Sequence, residues 1–337
     1  KTSIPVITTM NGVDLAQDDI KLGFLGVYGN RIANMIISEC DLIISVGARL
    51  SLRQVGNNSA QFAPKAKLIR ADIDPYEISN SLKEDEEKYL LDATDFMNRL
   101  LQEDIPNYSE WHDKCFAAKK LLKDCDKEIG NLVIEKINCY LPENPIVAVD
   151  VGQTQCWCAQ SLLLKGHSGR ILIGGGYGSM GCGLPYAIGA SISKNRGLVF
   201  CITGDGGLQM NIQELETVHR ENLPIKILVL NNHALGKIRE VQYLSYKSKF
   251  VGTNFESGYS VPDFVKIAQA YGIKACSLSS YSALESYKSW FQDEAPCLIN
   301  IDLPEDTLLI PKIKWETREI EPSIDAILEE RVIDLLQ

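Results

Sequence analysis

Two short segments of this sequence carry residues that could hold a phosphate and a divalent cation together. The apolar run Leu198–Thr203 leads directly into Gly204-Asp205-Gly206-Gly207, and the apolar run Ile225–Leu230 leads into Asn231-Asn232. Glycines let backbone N–H groups approach an anion, and the aspartate adds a hard oxygen. Asp205 and Asn232 lie 27 residues apart, room for one helical crossover between adjacent parallel strands, whose tips would then sit side by side. Magnesium takes about six oxygens, here one carboxylate, one amide carbonyl, a backbone carbonyl such as that of Ala234, two diphosphate oxygens and water. A helix predicted after the Gly-Asp-Gly turn, with Asn211 and Glu214 spaced as a capping box, would add its N-terminus to the anion site. On its own a Gly-Asp-Gly is more often a plain turn. A third apolar run, Ile171–Ile173, precedes five glycines between Gly174 and Gly181, where a flat ring or a chain of phosphates could lie close to the backbone.

The elements that must carry these segments can be read from the same sequence. Apolar runs at 41–47, 66–74, 145–152, 170–173, 198–203, 225–231 and 297–303 read as buried strands, and helical stretches at 30–39, 184–193, 261–271 and 283–292 separate them. That alternation predicts an α/β chain: two doubly wound parallel-sheet domains joined by a helical linker. Residues 1–105 are expected to form the first domain, 106–140 the linker, 141–310 the second domain and 311–337 a tail. The acidic run Glu84-Asp85-Glu86-Glu87 reads as a solvated face or loop.

Composition narrows the class further. The 337 residues carry 34 Lys and Arg against 44 Asp and Glu, with no basic cluster, so a nucleic-acid partner is not expected. Apolar stretches such as 184–192 and 225–230 fall short of a membrane span, and the chain reads as cytoplasmic. The ten cysteines include no C-x-x-C pair and read as small buried hydrophobes, while His112, His167, His219 and His233 are too scattered for a zinc site.

Together the segments resemble the thiamine diphosphate (ThDP) dependent enzymes, and within them the acetolactate synthase large subunits. The resemblance runs through Gly204-Asp205-Gly206 with Asn231-Asn232, through Val151-Gly152-Gln153-Thr154-Gln155, Gly178–Pro185 and Asn211–Leu215. It continues in the first domain through Gly26-Val27-Tyr28-Gly29, Ser45–Arg49 and Asp72-Ile73-Asp74-Pro75. It implies magnesium on Asp205, Asn232 and the Ala234 carbonyl. Gln153, Thr154, Gly206 and Gly207 would lie by the diphosphate, Gly178 and Ser179 by the aminopyrimidine, Met180 would wedge the cofactor into its bent form, and Gly204 and Gly236 would also belong to the cofactor site. Thr154 stands where the family usually has His.

The implied reaction is that of a lyase or carboligase: a 2-oxo acid adds to the cofactor, CO₂ leaves, and the remaining fragment is protonated or joined to an aldehyde or second oxo acid. Lys237 and Val241, four apart on one helix face, stand where acetolactate synthases carry Met and Trp, and suggest a larger or anionic substrate. FAD is possible in the first domain, although Arg49–Arg53 lacks the family's acidic pair and Tyr28 replaces its His. The family's activating Glu belongs to a pyrimidine-binding domain that has no counterpart in these residues, so no catalytic residue is expected here. The chain beginning at Lys1 is expected to be a fragment, inactive alone, that meets that domain on the same or another chain in a homodimer or tetramer. The alternative is a non-catalytic nucleotide-binding or assembly module of the same fold. A dinucleotide dehydrogenase is disfavoured because no G-x-G-x-x-G follows the first strand of either domain.

Overall fold

The computed structural model describes residues 2–314 and 316–337; Lys1 and Trp315 lie outside the described residues. The chain divides into two units, one formed by residues up to Asp126 together with Ile310–Gln337, the other by Lys127–Leu309. In the first unit the strands β1 (Val6–Thr8) and β2 (Lys21–Phe24) pair in parallel, and β3 (Leu42–Val46), β4 (Lys67–Asp72) and β5 (Glu87–Leu90) form a parallel three-stranded sheet. The helix Arg31–Glu39 is pinned by Arg31, whose buried guanidinium donates to both Asp126 carboxylate oxygens (2.6–3.1 Å) and to the Pro322 carbonyl at 2.6 Å.

The second unit holds the larger sheet. Its strands β6 (Ile146–Val149), β7 (Arg170–Ile173), β8 (Val199–Gly204), β9 (Ile225–Asn231), β10 (Lys274–Leu278) and β11 (Cys297–Asp302) are all parallel, in the order β10-β11-β9-β8-β6-β7. Every residue of β9 is buried, as expected of a central parallel strand covered on both faces. From β6 the chain passes to β7 on one side and then to β8 on the other, and this reversal opens a crevice at the carboxyl ends of β6 and β8. Below it, Val199, Cys201, Ile225, Ile227, Val229 and Leu298 form the core of the sheet beneath the helix Gly183–Ser193.

Three segments pack in ways the sequence does not specify. The 106–140 segment holds two helices that serve different cores. Cys115, Ala118 and Leu122, on and just after the helix Ser109–Leu121, pack with Leu22, Ile32 and Ile36 of the first unit, while Val133, Ile134 and Ile137 of the helix Ile129–Asn138 are buried in the second. Helical spacing shows that a face must be covered but not which core covers it. In the 311–337 segment, Val332 and Leu336 of the helix Ala326–Leu336 join that first-unit core. Finally, the acidic run is not wholly solvated. Glu86 is 1% exposed and faces Arg70 at 3.4 Å, and Glu87 begins β5. Arg70 also donates to the carbonyls of Asn80 (2.8 Å) and Glu77 (2.9 Å), so burial of the pair is matched by hydrogen bonds.

The strand β10 forms where the sequence has no apolar run, and the helix expected at 283–292 is a 3-10 turn, Tyr281–Tyr287, followed by the short helix Lys288–Gln292. All ten cysteines are free thiols; five are buried and Cys139 is exposed. No helix among the described residues is long and apolar enough to cross a membrane.

Candidate functional site

The crevice is organised by a residue that pattern reading passed over. Asp150 follows β6 and is 1% exposed. One carboxylate oxygen accepts the N–H groups of Val151 (2.8 Å) and Gly181 (3.0 Å), the other the Thr203 hydroxyl (3.1 Å), so a single side chain ties β6, the glycine-rich loop and β8 together. A Cβ on Gly207 would stand 2.7 Å from Asp150 Oδ2 and one on Gly183 3.0 Å from Asp150 Cβ, so both glycines are required by the approach of Asp150. Its signal in the sequence was a lone acid ending the apolar run Ile146–Val149.

Asp205 opens the helix Asp205–Met210 directly after β8. One carboxylate oxygen accepts the Gly206 N–H at 2.8 Å, while Oδ2 is buried and has no hydrogen-bond partner among the described residues. Burial pushes this carboxyl up to about 6, against the lowering pull of the Gly206 N–H, of His233 and of the Ala234 N–H. Gly204 pairs with Leu230 in the β8–β9 ladder, so the turn Asn231–Ala234 leaves the sheet beside Asp205.

Asn232 is buried within a closed polar cluster. Its amide nitrogen donates to Gln153 Oε1 and to Thr307 Oγ1, both at 3.0 Å, and Gln153 Nε2 donates to the Thr307 carbonyl at 2.8 Å. A Cβ on Gly236 would meet Gln153 Oε1 at 2.1 Å and Asn232 Nδ2 at 2.5 Å. Gly236 therefore makes room for this cluster. Thr307 lies beyond β11, where nothing in the sequence marks it as part of the site. The Asn211–Glu214 capping box does not form: Asn211 donates to the Gly181 carbonyl at 2.8 Å and Glu214 accepts from Thr217 at 2.9 Å, because the fold spends both side chains elsewhere.

Met180, Leu235 and Tyr259 converge over Gly206, where a Cβ would come within 3.1 Å of Met180 Cε, 2.7 Å of Leu235 Cδ2 and 3.2 Å of the Tyr259 hydroxyl. Burial first, and then the nearby Asp205 carboxylate, raise the Tyr259 phenol above its ordinary range. Gly178, with φ +64°, and Ser179 are exposed, whereas Gln153 and Thr154 are buried at the start of the helix Gln153–Ser161. Thr154 Oγ1 would lie 3.6 Å from a Cβ on Gly204. On the helix Gly236–Ser245, the Lys237 ammonium faces the buried Glu240 carboxylate at 3.7 Å, and Val241 is exposed. In the first unit Asp74 accepts from the Tyr76 N–H at 2.8 Å and so caps the helix Pro75–Ser79.

These residues fit a hard cation beside an anion. Asp205 Oδ2 is a buried carboxylate oxygen with no hydrogen-bond partner among the described residues, a hard donor of the kind magnesium takes. Among the described residues no group of three or more His, Cys, Asp and Glu could hold a metal, so a bound anion and water would have to complete the shell. A separate cavity of about 380 Å³, lined by Asn231, His233, Asp263, Ser277, Asn300 and Asp302 among others, lies beyond the tips of β9, β10 and β11.

Comparison with known proteins bears on the same residues. Residues 150–301 match the thiamine pyrophosphate enzyme C-terminal TPP binding domain, and residues 1–100 match the central domain of those enzymes. The chain is 33% identical over 324 residues to the acetolactate synthase large subunit of Porphyra purpurea, an alignment covering 92% of this chain and 54% of that protein. It is 32% identical to the acetolactate synthase isozyme 2 large subunit of Escherichia coli K12 (90% and 56%). With the probable acetolactate synthase large subunit of Methanocaldococcus jannaschii it shares 34% identity (95% and 56%). The chain thus spans about half the length of the curated relatives it matches.

Proposed function

The chain belongs to the thiamine pyrophosphate enzymes and is similar to acetolactate synthase large subunits, and from that premise we propose that its second unit binds ThDP with Mg²⁺ at the tips of β6, β8 and β9, serving a decarboxylase or carboligase that acts on a small 2-oxo acid. The observation that carries this reading is the buried, unpartnered Oδ2 of Asp205 at a glycine-bounded helix start beside the Asn231–Ala234 turn. When bound, ThDP supplies the carbanion chemistry that breaks the bond beside the oxo group, and the protein contributes position and electrostatics.

Asp205, Asn232 and the Ala234 carbonyl are the proposed metal ligands. Gln153, Thr154, Gly204 and Gly206 would line the diphosphate, with Gly178 and Ser179 beside the aminopyrimidine and Met180 supporting the ring system. Asp150 anchors the glycine-rich loop through the Gly181 N–H, which supports this arrangement. Glu240 answers the Lys237 charge, which favours an ordinary small 2-oxo acid over a strongly anionic substrate. A pyrimidine-binding domain, on the same or another chain of a homodimer or tetramer, completes the proposed assembly.

Calorimetric titration of ThDP into the protein, with and without Mg²⁺, tests this reading. Binding that depends on Mg²⁺ and is lost in Asp205→Asn is expected. Binding indifferent to both changes would point instead to a nucleotide-binding module of other purpose.

A further inference from the structure

The hydrogen bonds around Asn232 have a polarity that can be assigned without choice, and its anchor is a backbone atom. Thr307 is 4% exposed and Asn232 6% exposed, so neither finds bulk water. The Thr307 carbonyl can only accept, so the Gln153 end that meets it at 2.8 Å must be the amide nitrogen. That fixes Gln153 Oε1 on the opposite side, where it accepts from Asn232 Nδ2 (3.0 Å) and from the Thr307 hydroxyl (3.2 Å). The hydroxyl proton is then spent on Gln153, so Thr307 Oγ1 meets Asn232 as an acceptor at 3.0 Å. Both Asn232 N–H bonds are used, and a flipped amide would set its oxygen against the Gln153 Oε1 acceptor at 3.0 Å. The Asn232 oxygen is therefore the end turned away from the cluster.

We infer that Thr307 is a positioning residue for the metal site: through its carbonyl and hydroxyl, and through Gln153, it locks the Asn232 amide with its oxygen free to take the cation. This rests on the reading that Asn232 ligates Mg²⁺. An amide free to rotate would present its oxygen only part of the time and would bind the ion correspondingly less well. Gly236 belongs to the same device, since any side chain there would occupy the space in which Gln153 and Asn232 meet.

The test is Mg²⁺ titration of the intact protein at saturating ThDP, followed by calorimetry, for wild type, Thr307→Val, Thr307→Ser and Asp205→Asn. Losing the hydroxyl should weaken apparent Mg²⁺ affinity about five- to tenfold in Thr307→Val, as expected for one lost buried hydrogen bond. Thr307→Ser should restore the wild-type value, and ThDP affinity at saturating Mg²⁺ should hardly change. Wild-type Mg²⁺ affinity in Thr307→Val, alongside the expected loss in Asp205→Asn, overturns the positioning role alone. Indifference of ThDP binding to Mg²⁺ in wild type and Asp205→Asn overturns the metal reading and this inference with it. Should Thr307→Val not fold, the wild-type protein still decides: the Asn232 side-chain amide protons must be protected from hydrogen exchange before metal is added, and free exchange refutes the lock.

Discussion

Removing the charge of Asp205 should stabilise the protein when metal is absent and disable it when metal is present. The side chain is 3% exposed, and its carboxyl stands at about 6 where an ordinary aspartate stands at 3.8. Each unit is worth about 1.4 kcal/mol, so the fold bears on the order of 3 kcal/mol against the ionised form at neutral pH. Because the folded value is raised, the contribution of this group to stability is fully present below about 3.8 and is lost as pH rises through about 6. Metal-free Asp205→Asn should thus exceed wild type by about 3 kcal/mol near pH 8, about 6–12 °C in Tm for a unit of this size, and converge with it near pH 4. With Mg²⁺ and ThDP the order should reverse, since wild type alone gains stability from binding. Below a pH of about 6 the wild-type gain should fade, because cation and proton compete for one carboxylate. Thermal melts of both proteins in chelator, and again with Mg²⁺ and ThDP, across this pH range are the assay. A variant no more stable than wild type near pH 8, or a difference that does not change with pH, would refute the argument from burial.

Further expectations follow from other buried contacts. Asp150→Ala leaves the Val151 and Gly181 N–H groups without their acceptor, and should cost about 2–4 kcal/mol in urea unfolding and raise the ThDP Kd; an unchanged Kd would show that the loop does not need this anchor. A Cβ at Gly130 would lie 2.1 Å from the Trp157 ring, so Gly130→Ala should lower stability by about 3 kcal/mol in the same assay, and a neutral result would mean that this packing is looser than drawn. Glu86→Ala strands the buried Arg70 guanidinium and should destabilise the first unit by about 3 kcal/mol, observable as an earlier unfolding transition, whereas exposed Glu84→Ala should be silent.

Much of the second unit's sheet was readable because its strands are buried on both faces and therefore appear as unbroken apolar runs. The Asp205 and Asn231-Asn232 segments could be located because each follows such a run directly. The strand β10 escaped because Lys274-Ala275-Cys276-Ser277-Leu278 is a half-exposed edge strand with little apolar signal. Asp150 and Thr307 escaped for a different reason: a polar residue ending an apolar run looks the same whether it faces water or closes a buried network.

The sequence by itself determined that the long apolar runs become buried parallel strands, and where a carboxylate and an amide stand relative to their ends, because these are local consequences of periodicity and glycine content. Tertiary structure alone decided that Gly207 and Gly236 yield to Asp150 and Gln153, that the 106–140 segment serves two cores, and that Thr307 reaches Asn232 from 75 residues away. Long-range hydrogen bonds and packing partners depend on which surfaces meet after the chain closes, and no local pattern encodes that meeting.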